Sequence, residues 1–61
     1  MRTELILIPD KGNLIKITLL TCEDGNFYEV FGCLNDIKKY HRSPNKIEAI
    51  NKVYRLILES K

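Results

Sequence analysis

Along the first half of the chain, apolar residues come in three short runs separated by polar tetrads that contain glycine. "ELILIP" (residues 4–9) gives way to "DKGN", Asp10 to Asn13. "LIKITLLTC" (14–22) gives way to "EDGN", Glu23 to Asn26, and "FYEVFGCL" (27–34) follows. Glycine supplies the positive φ that tight hairpin turns need, and Asp-Gly is a strong hairpin signal. The runs themselves are rich in the β-branched and aromatic residues that suit a pleated surface. Short turns force neighbouring strands to run antiparallel. The pattern therefore predicts a three-stranded meander.

The second half changes period. Ile47, Ala49, Ile50, Val53, Tyr54, Leu56 and Ile57 form a broad apolar arc at helical spacing, with Glu48, Asn51, Lys52, Arg55 and Glu59 opposite. Ser43-Pro44 reads as N-cap and first helical position, because proline lacks an N–H that would be orphaned there anyway. The helix is expected from about Pro44 towards Ser60. On its exposed face Glu48 stands four residues before Lys52 and Arg55 four before Glu59, pairs worth about 0.2–0.5 kcal/mol each. That face is balanced in charge and reads as solvated. Residues 35–43, "NDIKKYHRS", have three open readings: an extension of the sheet, a short helical turn, or a loop laid across it. The expected fold class is α+β, a β-β-β-α arrangement in which one C-terminal amphipathic helix packs on one face of the meander. Residues 1–61 make a single small domain.

Turn placement fixes a register. If "EDGN" closes the second hairpin, Thr21 faces Tyr28, Leu19 faces Val30 and Ile15 faces Leu34. If "DKGN" closes the first, Ile8 faces Ile15 and Ile6 faces Ile17. Side chains alternate along a strand, so Ile6, Ile8, Ile15, Ile17, Leu19, Tyr28, Val30 and Leu34 collect on one face, a bed for the helix. The other face collects Leu5, Leu7, Leu20, Cys22, Phe27, Phe31 and Cys33, with Lys16, Thr18 and Glu29 among them. One helix cannot cover both faces, and a single sheet normally turns a polar face to water. An apolar patch of this kind marks an interface. Leu5, Leu7, Leu20, Phe27, Phe31 and Cys33 are its expected residues, with a second copy of the chain or another protein as the partner. The competing readings are a slip of the register, or residues 35–43 folding over the face and hiding it.

Composition narrows the chemistry. A chain of 61 residues forms a marginal core, one that rarely supplies more than roughly 3–5 kcal/mol, and has little room for a deep, water-excluded pocket. The same pairing separates Cys22 from Cys33 along the strands, beyond the roughly 7 Å between Cα atoms that a disulfide spans. Both are expected to be free thiols in a cytoplasmic protein, since "MRTELILIP" is too short an apolar run for a leader or a membrane span. Two cysteines and His41 supply at most three metal ligands without the close C-x₂₋₄-C spacing of structural zinc. A Cys33–His41 nucleophile pair would need a third group to orient the base, and no phosphate-cradling glycine loop is present. The chain reads as non-enzymatic, with no cofactor and no metal.

Charge is unevenly spread. Residues 1–36 carry three cations (Arg2, Lys11, Lys16) against six anions (Glu4, Asp10, Glu23, Asp24, Glu29, Asp36), a net of −3. Residues 37–61 carry seven cations (Lys38, Lys39, Arg42, Lys46, Lys52, Arg55, Lys61) against Glu48 and Glu59, a net of +5. Such asymmetry points to an anionic partner for the basic end. Lys38, Lys39, Tyr40, His41, Arg42 and Lys46 concentrate it, with an aromatic between cations and no acid. Lysine and arginine neutralise phosphates, an aromatic stacks on a base, and a helix start adds N–H donors. The sequence thus predicts a small nucleic-acid-binding regulator, on DNA or RNA, that grips through a basic loop and helix start and works as a dimer. A second nucleic-acid reading uses Phe27 and Phe31 beside Lys16 as stacking platforms on the outer sheet face. The alternative from another class is a protein-binding module, an inhibitor or adaptor, that docks through the apolar outer face or the acidic turns.

Overall fold

The computed structural model describes residues 2–22 and 25–61. Its elements are β1 (Arg2–Asp10), β2 (Asn13–Thr21), β3 (Tyr28–Leu34), β4 (Ile37–Ser43) and α1 (Lys46–Ser60). The strands form one antiparallel sheet in the order β1-β2-β3-β4, with α1 packed against β2, β3 and β4. The predicted three-stranded meander is therefore corrected to four strands, and residues 35–43 extend the sheet rather than crossing it. The physical reason lies in Asn35 and Asp36. Asn35 takes a φ of 55°, which asparagine tolerates, and the two residues turn the chain so that Leu34 faces Ile37 and Phe31 faces Tyr40. Among the described residues no helix is long and apolar enough to cross a membrane.

The register follows the turn signals. Ile6 faces Ile17 and Ile8 faces Ile15 across β1–β2, and Leu19 faces Val30 across β2–β3. Lys11 and Gly12, at φ 47° and 84°, make the two-residue turn whose twist suits a hairpin. Of the second turn, Glu23 and Asp24 lie outside the described residues. Its flanks are fixed by the Cys22 N–H donating to Phe27 O at 3.1 Å and the Gly25 N–H donating to Cys22 O at 2.9 Å.

Ile15, Ile17, Leu19, Val30 and Leu34 from the sheet meet Ala49, Val53 and Ile57 from α1 in the buried core. The helix approaches closely because Gly32 faces it from β3. A Cβ on Gly32 would lie 2.4 Å from Val53 Cγ1 and 2.5 Å from Ile57 Cδ1. Two expectations about α1 are corrected. Asn45, not Ser43, is the N-cap, its side chain accepting from the Glu48 N–H at 2.9 Å. Ser43 is instead the last residue of β4, paired with Tyr28, and its buried hydroxyl accepts from the Asn45 N–H at 3.0 Å. Proline then stands just outside the helix. Ile47, placed in the apolar arc, is 64% exposed, because the helix buries the stripe of Ala49, Val53 and Ile57 and turns Ile47 away from the sheet.

Candidate nucleic-acid interface

Alternation along β4 decides what the basic segment becomes. Lys38, Tyr40 and Arg42 stand opposite Cys33, Phe31 and Glu29 on the outer sheet face. Lys39, His41 and Ser43 stand on the helix side. Of the six residues expected to form one basic loop and helix start, five are thus divided between the two faces of β4, and Lys46 opens α1. On the helix side His41 and Lys46 have acidic partners, while Lys39 has no ion-pairing partner among the described residues. His41 Nε2 lies 3.2 Å from Glu48 Oε1, and Lys46 Nζ lies 3.7 Å from Glu4 Oε1. The Ser43 hydroxyl, then the charge and hydrogen bond of His41, hold the Glu48 carboxyl below its ordinary range. At the helix start Asn45 takes the Glu48 N–H, and the Glu48 carboxylate stands in the first turn. Glu48 faces His41, so the expected pairs of Glu48 with Lys52 and Arg55 with Glu59 are not among the ion pairs formed by the described residues.

The outer face gathers what remains. Its side chains stand in cross-strand rows: Leu7, Lys16, Cys33 and Lys38; then Leu5, Thr18, Phe31 and Tyr40; then Thr3, Leu20, Glu29 and Arg42. Successive rows are about 6.6–6.8 Å apart, two residues along a strand. The Phe31 and Tyr40 rings sit 4.9 Å apart at 45°, and the Arg42 guanidinium lies 4.4 Å from the centre of the Phe27 ring. The Tyr40 hydroxyl donates to Glu29 Oε2 at 2.7 Å. That hydrogen bond, then desolvation and the Glu29 charge, push the Tyr40 phenol up from its ordinary value. Lys16, Thr18, Phe31, Gly32, Cys33, Lys38 and Lys39 line a hollow of about 260 Å³ between the lysines and Phe31. Among the described residues neither Lys16 nor Lys38 has an ion-pairing partner.

The face has two halves. Over β3 and β4 it is aromatic and cationic, with Phe31 and Tyr40 nearly half exposed. Over β1 and β2 it is aliphatic, with Leu5, Leu7 and Leu14 all more than half exposed and Leu20 partly so. The residues expected as one interface, Leu5, Leu7, Leu20, Phe27, Phe31 and Cys33, share this surface but fall on both sides of that division. Cys33 lies on the outer face and His41 on the helix side, so the sheet keeps that pair apart. Cys22 and Cys33 are free thiols. Among the described residues no group of three His, Cys, Asp or Glu side chains converges as a metal site. What sequence reading missed was the joining of Tyr40, Lys38 and Arg42 to Phe31 and Lys16. Little in the sequence marks it, because Lys38, Lys39, Tyr40, His41 and Arg42 are polar on both sides of the strand. Compared with protein-family models, with curated proteins and with solved structures, the chain finds no match.

Proposed function

We propose that this chain is a non-enzymatic regulator that binds single-stranded nucleic acid on the outer face of β3 and β4. The observation that carries the reading is the exposed Phe31–Tyr40 pair set between cations, Lys16 and Lys38 in the row on one side and Arg42 in the row on the other. Bases of a single strand stack on such rings, whereas the bases of a duplex are hidden in its interior. Phosphates on either side of a stacked base then meet the lysines or the arginine. Glu29 does not spoil the site, because it accepts the Tyr40 hydroxyl and stands opposite Arg42. A cytoplasmic setting belongs to the same reading, since it keeps the free Cys33 beside Lys16 and Lys38 reduced.

The test is fluorescence anisotropy with labelled single-stranded DNA, single-stranded RNA and duplex DNA over a range of salt. Three phosphate contacts on a single strand give a log–log salt slope of about −2, and each lysine removed takes about 0.7 from it. Lys16→Ala and Lys38→Ala should flatten the slope, while Phe31→Ala should weaken binding by about 1–3 kcal/mol at every salt concentration. Absence of binding at low salt overturns the reading. A second reading, a protein-binding module, is favoured by the exposed Leu5, Leu7 and Leu14. It predicts a partner whose affinity barely responds to salt, as apolar burial does.

A further inference from the structure

The two edges of the sheet are built differently. The Cys22 N–H bonds to Phe27 O, and hydrogen-bonded pairs alternate along antiparallel strands. Even-numbered residues of β2 therefore bond towards β3 and odd-numbered ones towards β1. By the same alternation, Thr3, Leu5 and Leu7 of β1 turn their N–H and C=O groups to the free edge, while Lys38, Tyr40 and Arg42 do so on β4. Pro9 shares this parity with Thr3, so its missing N–H falls where no ladder partner needs it. At the β4 edge, two of the three residues with outward main-chain groups are cations, a common guard against edge-to-edge pairing. At the β1 edge, Leu5 and Leu7 carry no charge and are more than half exposed. The long middle of β1 is open to another strand.

We infer that β1 pairs with β1 of a second copy of this chain, antiparallel about a two-fold axis at Ile6, to make one continuous eight-stranded sheet. Charge selects the register. With Ile6 opposite Ile6 of the second copy, Leu5 pairs with Leu7 through their outward main-chain groups, and Arg2 comes opposite Asp10. Asp10 already holds Lys61 of its own chain, so its carboxylate would then be flanked by two cations. Sliding the strands two residues in total one way leaves Arg2 opposite Ile8. Sliding them the other way sets Glu4 against Asp10, where like charges repel. The isologous pair is closed, because each β1 edge covers the other, with one N–H missing where Pro9 comes opposite Thr3, and the remaining edges are the guarded β4 strands. Leu5 and Leu7 of both copies form an aliphatic strip at the centre of the outer face, leaving both aromatic halves free. This inference does not depend on what those halves bind.

Sedimentation equilibrium of the full chain tests it, with oxidation of engineered cysteines in a Cys22→Ser/Cys33→Ser background to read the register. The wild type should be a dimer. Leu7→Lys, which gives β1 the kind of guard β4 has, should be monomeric with an unchanged circular dichroism spectrum. Leu7→Pro keeps the bonds to β2 and removes one outward donor, so it should also be monomeric, and serves if the lysine variant fails to fold. Ile6→Cys should oxidise to a covalent dimer, since only position 6 meets itself across the axis, and Leu5→Cys should not. A monomeric wild type, a folded Leu7→Lys or Leu7→Pro variant that remains a dimer, or cross-linking at position 5 in place of position 6 overturns the inference.

Discussion

At the scale of single residues, Gly32 and Glu48 join sheet to helix by different means. Gly32 does so by lacking a side chain. Atoms of Val53 and Ile57 stand well inside van der Waals distance of where its Cβ would be, and both belong to fully buried side chains on the helix face. Gly32→Ala must push the helix off the sheet or force those side chains out of their rotamers, which costs about 1–3 kcal/mol. In a domain this small that is a large share of the total stability, and urea denaturation should show the midpoint fall accordingly. Glu48 acts through charge. Its carboxyl is held below the ordinary range by the Ser43 hydroxyl and by His41, so folding favours the ionised form. That contribution is fully present above the ordinary carboxylate value and is lost as pH falls through the depressed one. Glu48→Gln should therefore be less stable than wild type near neutrality, with the gap closing in acid. Denaturation midpoints of both proteins across the acid range check this, and a gap that stays constant would contradict it.

At the scale of elements, β1, β2, β3 and the body of α1 were legible because their patterns are unambiguous. Isoleucine and leucine alternate between polar tetrads with glycine, and Ala49, Val53 and Ile57 recur every fourth residue. β4 was not. It is an edge strand whose helix side carries Lys39 and His41 instead of two apolar residues, so burial alternates along Ile37–Ser43 without the apolar and polar residue types that usually mark it. Its strand character comes from pairing with β3, a tertiary effect that local pattern does not report. With β4 unread, the basic residues could only be taken together, and their division between two faces was out of reach. The start of α1 was misplaced for a related reason: Ser43 is a good N-cap by type, yet it is held in the sheet, and Asn45 does the capping two residues later. Asn45→Ala should cost about 0.5–2 kcal/mol by leaving the Glu48 N–H unpaired, whereas a cap at Ser43 would make that substitution nearly neutral. Thermal melts of Asn45→Ala and Asn45→Asp together check this: the alanine variant should fall while the aspartate variant, which keeps a capping oxygen, should retain wild-type stability, whereas a cap at Ser43 would leave both near wild type.

At the scale of the whole molecule, the sheet keeps its buried core on one face and its exposed aromatic and aliphatic side chains on the other. The helix side holds every buried apolar side chain among the described residues, while the outer side holds Phe31, Tyr40, Leu5 and Leu7, each with about two-fifths or more of its surface in water. Such a division is unusual for a single sheet, whose outer face is normally polar. Here the apolar outer residues add little to the fold of one chain, which argues that their value lies in what they touch. Two substitutions of similar size should therefore have opposite consequences. Ile17 is fully buried between strands and helix, and its truncation to alanine costs about 2–5 kcal/mol, comparable to all that a core of this size provides. Ile17→Ala should be largely unfolded at room temperature by circular dichroism. Phe31 is 43% exposed, so its truncation removes the contact with Tyr40 but less covered surface than the loss of fully buried Ile17. Phe31→Ala should melt within a few degrees of wild type while single-strand binding falls by the factor of roughly 5 to 150 that one stacked base provides. If Phe31→Ala unfolds as readily as Ile17→Ala, the outer face is part of the core, and the separation that places recognition there fails with it.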